Sequence, residues 1–291
     1  MPKKIICLIS IVFIFNLHFV FSESNVFEGL KQNLVKDGFD LEFIKKVYSH
    51  DKLEFIPHII TINVKQTVNG SNYLQYNEDS VTEKVRDYIS ENNKFLAKIY
   101  EKYNVPAGII CSILMIESKL GSYIGKYRVM NTYSSMAVSN TDEAIDNIYQ
   151  RYQKDAMLTD EKKLSREIVA QRVRKKSDWA YSELKLFLKY IKNNNIDPFQ
   201  IKGSISGAFG LAQFIPSSFF RYAVDGDTDG KIDLYNHYDA MASIANYLKE
   251  NGWKNNLSEE EEKKVIATYN HSKYYAEAVI GIAAAVKNNK D

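Results

Sequence analysis

Cysteine is almost missing from this chain, with two in 291 residues. Cys7 lies inside an N-terminal apolar run, which leaves Cys111 alone in the body, so no disulfide framework forms and the fold must cohere by packing. Histidine is scarce as well, and five scattered copies beside one body cysteine make no soft-metal ligand pattern. Five prolines and 13 glycines leave no room for collagen, mucin-like or low-complexity polar segments. A charge excess is also lacking: the net +2 is accounted for by Lys3 and Lys4 in a stretch without acids. Neither nucleic acid nor an anionic membrane surface gains electrostatic support. What the chain does have is length enough to bury a large core, 45 % hydrophobic residues, and 20 tyrosines. Rings in that number suit a cleft that stacks on its ligand, and they equally suit an ordinary core.

The first residues read as a targeting segment. Met1 to Lys4 is basic, Ile5 to Phe21 is apolar apart from Asn16 and His18, and Ser22 precedes the acidic Glu23. This is the pattern of a secretory signal peptide over residues 1–22. An uncleaved membrane anchor is the alternative, because the run approaches the ~20 residues a spanning helix needs. Cys7 sits mid-run, away from the end where a lipid-modified cysteine stands. Both readings place the body outside the cytoplasm, in the periplasm or cell envelope.

The body reads as successive helices. Ser80 with Glu83 has the form of a capping box, and Val81, Val85, Tyr88, Ile89, Phe95, Leu96, Ile99 and Tyr103 follow at helical spacing. The same period runs from Trp179 to Ile191, from Met241 to Leu248 before Gly252, and from Tyr275 to Val286. Strand alternation is rare, Ile59 to Val64 being its best instance. The charged stretch Lys154 to Lys176 predicts a solvated helix or long loop, an insertion more than a nucleic-acid patch. Residues 23–78 form a helical extension packed on the body, and residues 79–291 the main domain.

One segment carries a carboxylate where water is scarce. Asn104 to Gly121 has a capping Asn, a Pro in the first turn and a closing Gly, predicting one helix about four turns long that is apolar nearly all round. Glu117 shares a face with Ile110, Ile113 and Leu114. Desolvation there favours the neutral acid and raises its pKa, as a general acid working near neutral pH requires. A core glutamate paired with a basic residue, or a helix-end carboxylate turned to solvent, would fit the position too.

Two loops complete the inventory. Gly203 to Pro216 has three glycines within eight residues but neither the lysine nor the buried strand of a phosphate loop. Its glycines permit close backbone approach by a ligand or a helix, with Ser204 and Gln213 as hydrogen-bonding side chains; a plain tight turn is the alternative. Asp225 to Asp239 puts Asp225, Asp227 and Asp229 at loop positions one, three and five, Gly230 at six and the Lys231 carbonyl at seven, the oxygen-rich spacing that Ca²⁺ prefers. Position twelve is Asn236 where an EF-hand has a bidentate Glu, and Asp239 closes a longer loop. A metal-free acidic turn is the competing reading, against which stands the mutual repulsion of clustered carboxylates.

In this order, Ile116-Glu117-Ser118-Lys119-Leu120-Gly121, Gly203 to Pro216, the acidic loop, Ala245-Asn246-Tyr247 and Thr268-Tyr269-Asn270-His271-Ser272 resemble the membrane-bound lytic murein transglycosylase B family. The resemblance covers roughly Asp79 to the C-terminus. It implies a mainly α, lysozyme-like fold with an EF-hand-like calcium loop. It also implies an enzyme that cleaves the β-1,4 bond between N-acetylmuramic acid and N-acetylglucosamine of peptidoglycan without water, leaving a 1,6-anhydromuramoyl end. Glu117 matches the family's single catalytic acid/base. Ser204, Gln213, Tyr247, Tyr269 and Asn270 match residues lining the glycan cleft, and Asp225, Asp227, Asp229, Lys231 and Asp239 match a calcium site that steadies the fold. No organic cofactor is implied. The partners implied are glycan strands, with room for proteins of a wall-remodelling complex and none for nucleic acid, and the chain reads as a monomer.

The sequence departs from the family in places. Where members carry an arginine pair in the cleft, this chain has Lys175-Lys176, which keep the charge and lose the planar fork. It is longer between Met136 and Lys175, shorter between Trp253 and Tyr269, and matches loosely from Phe27 to the start of the main domain. A hydrolytic muramidase on the same fold, or a catalytically silent calcium-dependent glycan-binding protein, are the competing functions.

Overall fold

A computed structural model describes residues 26–65, 73, 75, 76, 78–159 and 164–288. The signal-peptide expectation falls outside these residues. Thirteen helices and a two-stranded ribbon make up the described chain. In order they are α1 (Glu28–Lys36), α2 (Leu41–Tyr48), α3 (Ile59–Lys65), α4 (Asp79–Glu91), α5 (Asn93–Tyr103), α6 (Ala107–Ser118), β1 (Tyr127–Arg128), α7 (Val129–Ala137), α8 (Asp142–Thr159), α9 (Arg166–Asn193), β2 (Lys202–Gly203), α10 (Pro216–Tyr222), α11 (His237–Glu250), α12 (Glu259–Ala267) and α13 (Lys273–Asn288).

The helix α6 runs through the middle. Ile109 to Met115 are consecutively buried, so its apolar circumference is consumed by neighbours on every side. α13 packs closely along it, with α4, α5 and α11 completing the surround. Gly108 lets this happen, since a Cβ there would already touch the Cβ of Ala283 at 3.4 Å. A second layer is organised by the 28-residue α9, which lies against α7, α10, α3 and α8.

Several local expectations are corrected by packing. Ile59 to Val64 is a helix, not a strand: Ile59, Ile60 and Thr61 are buried in succession between α7, α8 and α9, which no half-buried strand allows. Ser80 and Glu83 do not cap α4, which begins at Asp79 with Glu78 before it; a capping box does form between Ser258 and Glu261 at the start of α12. Asn104 ends α5 in a left-handed conformation (φ 58°) and does not start α6, whose N-cap is Pro106; α6 is accordingly 12 residues, about three turns. The charged stretch beginning at Lys154 spans the end of α8 and the first half of α9.

The N-terminal residues are sewn to the body by polar contacts over a shared core. Tyr48 Oη and Ser134 Oγ are 3.1 Å apart, the Ile56 amide donates to Ser135 Oγ (2.9 Å), and Asn131 Nδ2 donates to the Lys52 carbonyl (3.0 Å). One cluster of buried apolar residues extends from Phe27 to Ile282.

Candidate active site

α6 delivers Glu117 to its last turn. The helix then stops through a Schellman-type closure in which the Leu120 amide reaches the Leu114 carbonyl (3.2 Å), with Lys119, Leu120 and Gly121 all at positive φ. The chain turns away and forms β1, which pairs antiparallel with β2, Tyr127 opposite Gly203. The ribbon thereby fixes the glycine-rich turn beside the end of α6. Gly203 is required here, because a Cβ on it would collide with the Ala208 carbonyl.

Glu117 is half-buried and has tyrosines around it. Tyr275, on α13, donates its hydroxyl to Glu117 Oε1 at 2.7 Å. Tyr269 stacks on Tyr275 with ring centroids 6.2 Å apart and planes within 7°. Tyr73 meets Tyr275 edge-on at 6.1 Å and hydrogen-bonds to Ser272 and Asn270. Tyr76 donates to the Ile116 carbonyl at 3.2 Å. Burial pushes the Glu117 carboxyl up to about 7, with the Tyr275 hydrogen bond pulling the other way. The same burial, then the Glu117 charge, pushes the hydroxyls of Tyr73, Tyr76, Tyr269 and Tyr275 up, so all four remain donors.

Much of the polarity of the candidate cleft residues is used by the fold. Tyr269 donates to the Ala212 carbonyl (2.5 Å) and Tyr247 to the Thr268 carbonyl (2.6 Å). Their rings, 4.8 Å apart, form a wall with Tyr222 and Phe214. Gln213, left-handed at φ 49°, spans from the Gly210 carbonyl (2.7 Å) to that of Ile124 (3.3 Å) and so ties the glycine-rich turn to the segment after α6. Ser204 Oγ accepts from the amides of Ser206 and Ala208 and shapes the turn. From α3, Asn63 holds the tip of the turn: its Nδ2 donates to the Ile205 carbonyl (3.1 Å) and its Oδ1 accepts from Ser206 Oγ (2.7 Å).

Lys175 and Lys176 diverge. Lys175 is exposed on α9, whereas Lys176 lies with Nζ 3.7 Å over the Trp179 ring, its pKa lowered to about 8 by burial. Trp179 meets Tyr133 edge-on at 5.8 Å, and Tyr133 donates to the Gly207 carbonyl (3.1 Å), so Lys176 belongs to the far side of the glycine-rich turn.

The acidic loop is built to hold its carboxylates together. Oxygen atoms of Asp225, Asp227 and Asp229 all lie within 4.8 Å of one another. Asp225 accepts from the amides of Thr228 (2.6 Å) and Gly230 (2.8 Å), and Asp229 from that of Lys231 (2.8 Å). Asp239, 1 % exposed, accepts from the amides of Gly226 (2.7 Å) and Asp233 (2.6 Å), and burial raises its pKa against those two bonds. Asn236 caps α11 and donates to Asp227 Oδ2 (2.8 Å).

Tyr73, Tyr76 and Asn63 escaped the sequence reading, and Tyr275 entered it only as a helical apolar position. All four act across long separations, Tyr275 to Glu117 spanning 158 positions, and nothing local marks them.

The chain is similar to known proteins. A curated relative is membrane-bound lytic murein transglycosylase B of Escherichia coli (strain K12), 28 % identical over 230 residues, which are 75 % of this chain and 54 % of that protein. The chain thus spans about half the length of the curated relative it matches. Among solved structures, the E. coli lytic transglycosylase Slt35 in complex with calcium aligns with a TM-score of 0.70 at 22 % identity, covering 92 % of this chain and 94 % of that one. SltB3 from Pseudomonas aeruginosa in complex with NAG-anhNAM-pentapeptide aligns with a TM-score of 0.67 at 20 % identity, covering 89 % and 78 %. The fold is therefore that of Slt35 and SltB3. The family described as the transglycosylase SLT domain matches residues 22–262, most of the chain, and this protein belongs to it.

Proposed function

We propose that the protein is a lytic transglycosylase of peptidoglycan in which Glu117 alone serves as acid and then base. The observation that carries this reading is a half-buried carboxyl, raised to about 7 by burial and hydrogen-bonded by Tyr275, whose ring stacks on Tyr269. A single carboxyl acting as acid and then base distinguishes this chemistry from that of a two-carboxylate glycosidase. Protonated Glu117 gives its proton to the glycosidic oxygen as the bond from that oxygen to the muramoyl anomeric carbon breaks. The substrate's own N-acetyl group assists at that carbon. The 6-hydroxyl oxygen then bonds to it, and Glu117 takes back the 6-hydroxyl proton, so no water is consumed. Tyr275 steadies the carboxylate between the two transfers. Tyr247 and Tyr269 offer ring faces to sugars, Ser204, Gln213 and Asn270 offer polar atoms along the cleft, and Lys175 and Lys176 offer charge on its far side.

A hard divalent cation fits the acidic loop. Three carboxylates gathered within 4.8 Å, with Asp239 buried behind them, form an oxygen donor set of the kind calcium takes. Asp225, Asp227, Asp229, the Lys231 carbonyl and Asp239 would hold it, and a related structure is a complex with calcium. The ion would neutralise the loop and take no part in proton transfer. No organic cofactor is proposed.

We assign residues 1–22 to a leader, 23–78 to the helical extension and 79–291 to the catalytic domain, exported to the periplasm or cell envelope. No helix among the described residues is long and apolar enough to cross a membrane. Glycan strands are the proposed partner, for a monomer open to wall-remodelling proteins. The decisive experiment is digestion of purified peptidoglycan with wild type and Glu117→Gln, followed by mass spectrometry. Anhydromuramoyl ends from the wild type, at least ~10²-fold fewer from the variant, support the reading. Reducing ends, or equal release by both proteins, overturn it.

A further inference from the structure

The turn that ends α6 is strained and something must hold it. Lys119 and Leu120, two residues with side chains, sit at φ 51° and 57°, followed by Gly121 at 91°. Left-handed backbone is unfavourable for such residues, and it persists only where the surroundings over-determine it. Two groups close on this turn: a Cβ on Gly121 would lie 2.9 Å from His237 Cε1 and 3.2 Å from Leu211 Cδ2. His237 is in turn seated by Tyr88 of α4, with Oη 2.6 Å from Nδ1 and ring centroids 5.6 Å apart. Behind it stands the acidic loop. His237 directly follows Asn236, which bonds Asp227 and caps α11, and the Leu211 amide donates to the Leu234 carbonyl (2.7 Å) at the exit of that loop. Both groups that press on the turn are thus anchored to residues 227–239.

We propose that His237, seated by Tyr88, is a positioning residue for Glu117: it wedges the turn at 119–121 and so keeps the Glu117 carboxyl in its water-poor seat. The catalytic meaning of that seat rests on the function proposed above, but the wedge itself is read without activity. Loss of the ring frees a strained turn two to four residues beyond Glu117, the end of α6 loosens, and water reaches the carboxyl.

The test is an NMR titration of ¹³C-labelled Glu117, assigned through Glu117→Gln, in wild type, His237→Ala, His237→Gln and Tyr88→Phe. The midpoint falls by about one unit or more in His237→Ala as hydration returns, by less in Tyr88→Phe, and is largely restored by His237→Gln, which keeps bulk and an acceptor. In digestion assays His237→Ala lowers kcat by about tenfold with KM little changed, since misplacement of the acid spares ground-state binding. A Glu117 midpoint in folded His237→Ala equal to that of the wild type overturns the proposal; should that variant not fold, an unchanged midpoint in Tyr88→Phe does so. A wild type that yields no anhydro products defeats the proposed function, while the titration still decides on the wedge.

Discussion

Two carboxylate neighbourhoods lie close together in this molecule and are built in opposite ways. Around Glu117 the protein supplies rings and a single hydrogen-bond donor, so the acid keeps its proton to about pH 7. Around Asp225, Asp227 and Asp229 it supplies backbone amides, which donate to the carboxylate oxygens and hold them in place. The same functional group is set among rings in one place and gathered on backbone amides in the other. Asp239 combines the two settings, since burial raises its pKa against two amide bonds.

The comparison is broken most forcefully at Glu117. A raised acid pKa means the folded state binds the proton more tightly than the unfolded chain. Below about pH 4.5 both states are protonated and nothing is lost; between 4.5 and 7 the unfolded chain ionises first and stability falls; above 7 the full cost of about 3 kcal/mol is present. Glu117→Gln removes this slope. The melting temperature of the variant should therefore exceed that of the wild type at pH 8, with a gap that closes as pH falls to 4.5, even though its activity is gone. A gap of equal size at pH 4.5 and pH 8 would show that Glu117 is not desolvated.

The acidic loop should respond to the opposite treatment. With a calcium ion in it, free calcium at 100 times the dissociation constant adds about 2.7 kcal/mol, or roughly 5–10 °C in melting temperature for a chain of this size. Chelation should remove that increment from the wild type and leave Asp225→Asn/Asp227→Asn unchanged. A wild type indifferent to both chelator and calcium would make the loop a metal-free turn braced by its amides alone.

The contrast also explains what the sequence made legible. Glu117 and the acidic loop could be read because each is local: an acid at spacings three, four and seven from apolar residues, and aspartates at alternate positions of one turn. The helices from Trp179, Met241 and Tyr275 were legible for the same reason, since their periodicity is carried within each segment. Ile59 to Val64 misled because β-branched residues prefer strands in isolation, whereas burial between three helices decided otherwise. Asn104 misled because Asn serves both as a helix start and as a left-handed stop. The lining of the site by Tyr73, Tyr76 and Tyr275, and the clamp of Asn63 on Ile205 and Ser206, depend on contacts that form only when the chain is closed. Among 20 tyrosines nothing local separates a ring beside the acid from one in the core.

The smallest change sharpens the comparison by moving Glu117 further from the acidic loop in character. Tyr275→Phe keeps the ring that stacks on Tyr269 and deletes the one donor to Glu117 Oε1. That bond favours the carboxylate, so its loss raises the Glu117 pKa by about one unit, the scale of a charge-assisted hydrogen bond. A general acid must be protonated to act, so the alkaline limb of kcat/KM should move to higher pH by the same amount. The rate at its optimum should fall several-fold, because the carboxylate left after the first proton transfer has lost its support. An alkaline limb moving to lower pH would mean that removing the hydroxyl admits water, and that the ring wall alone does not keep Glu117 dry.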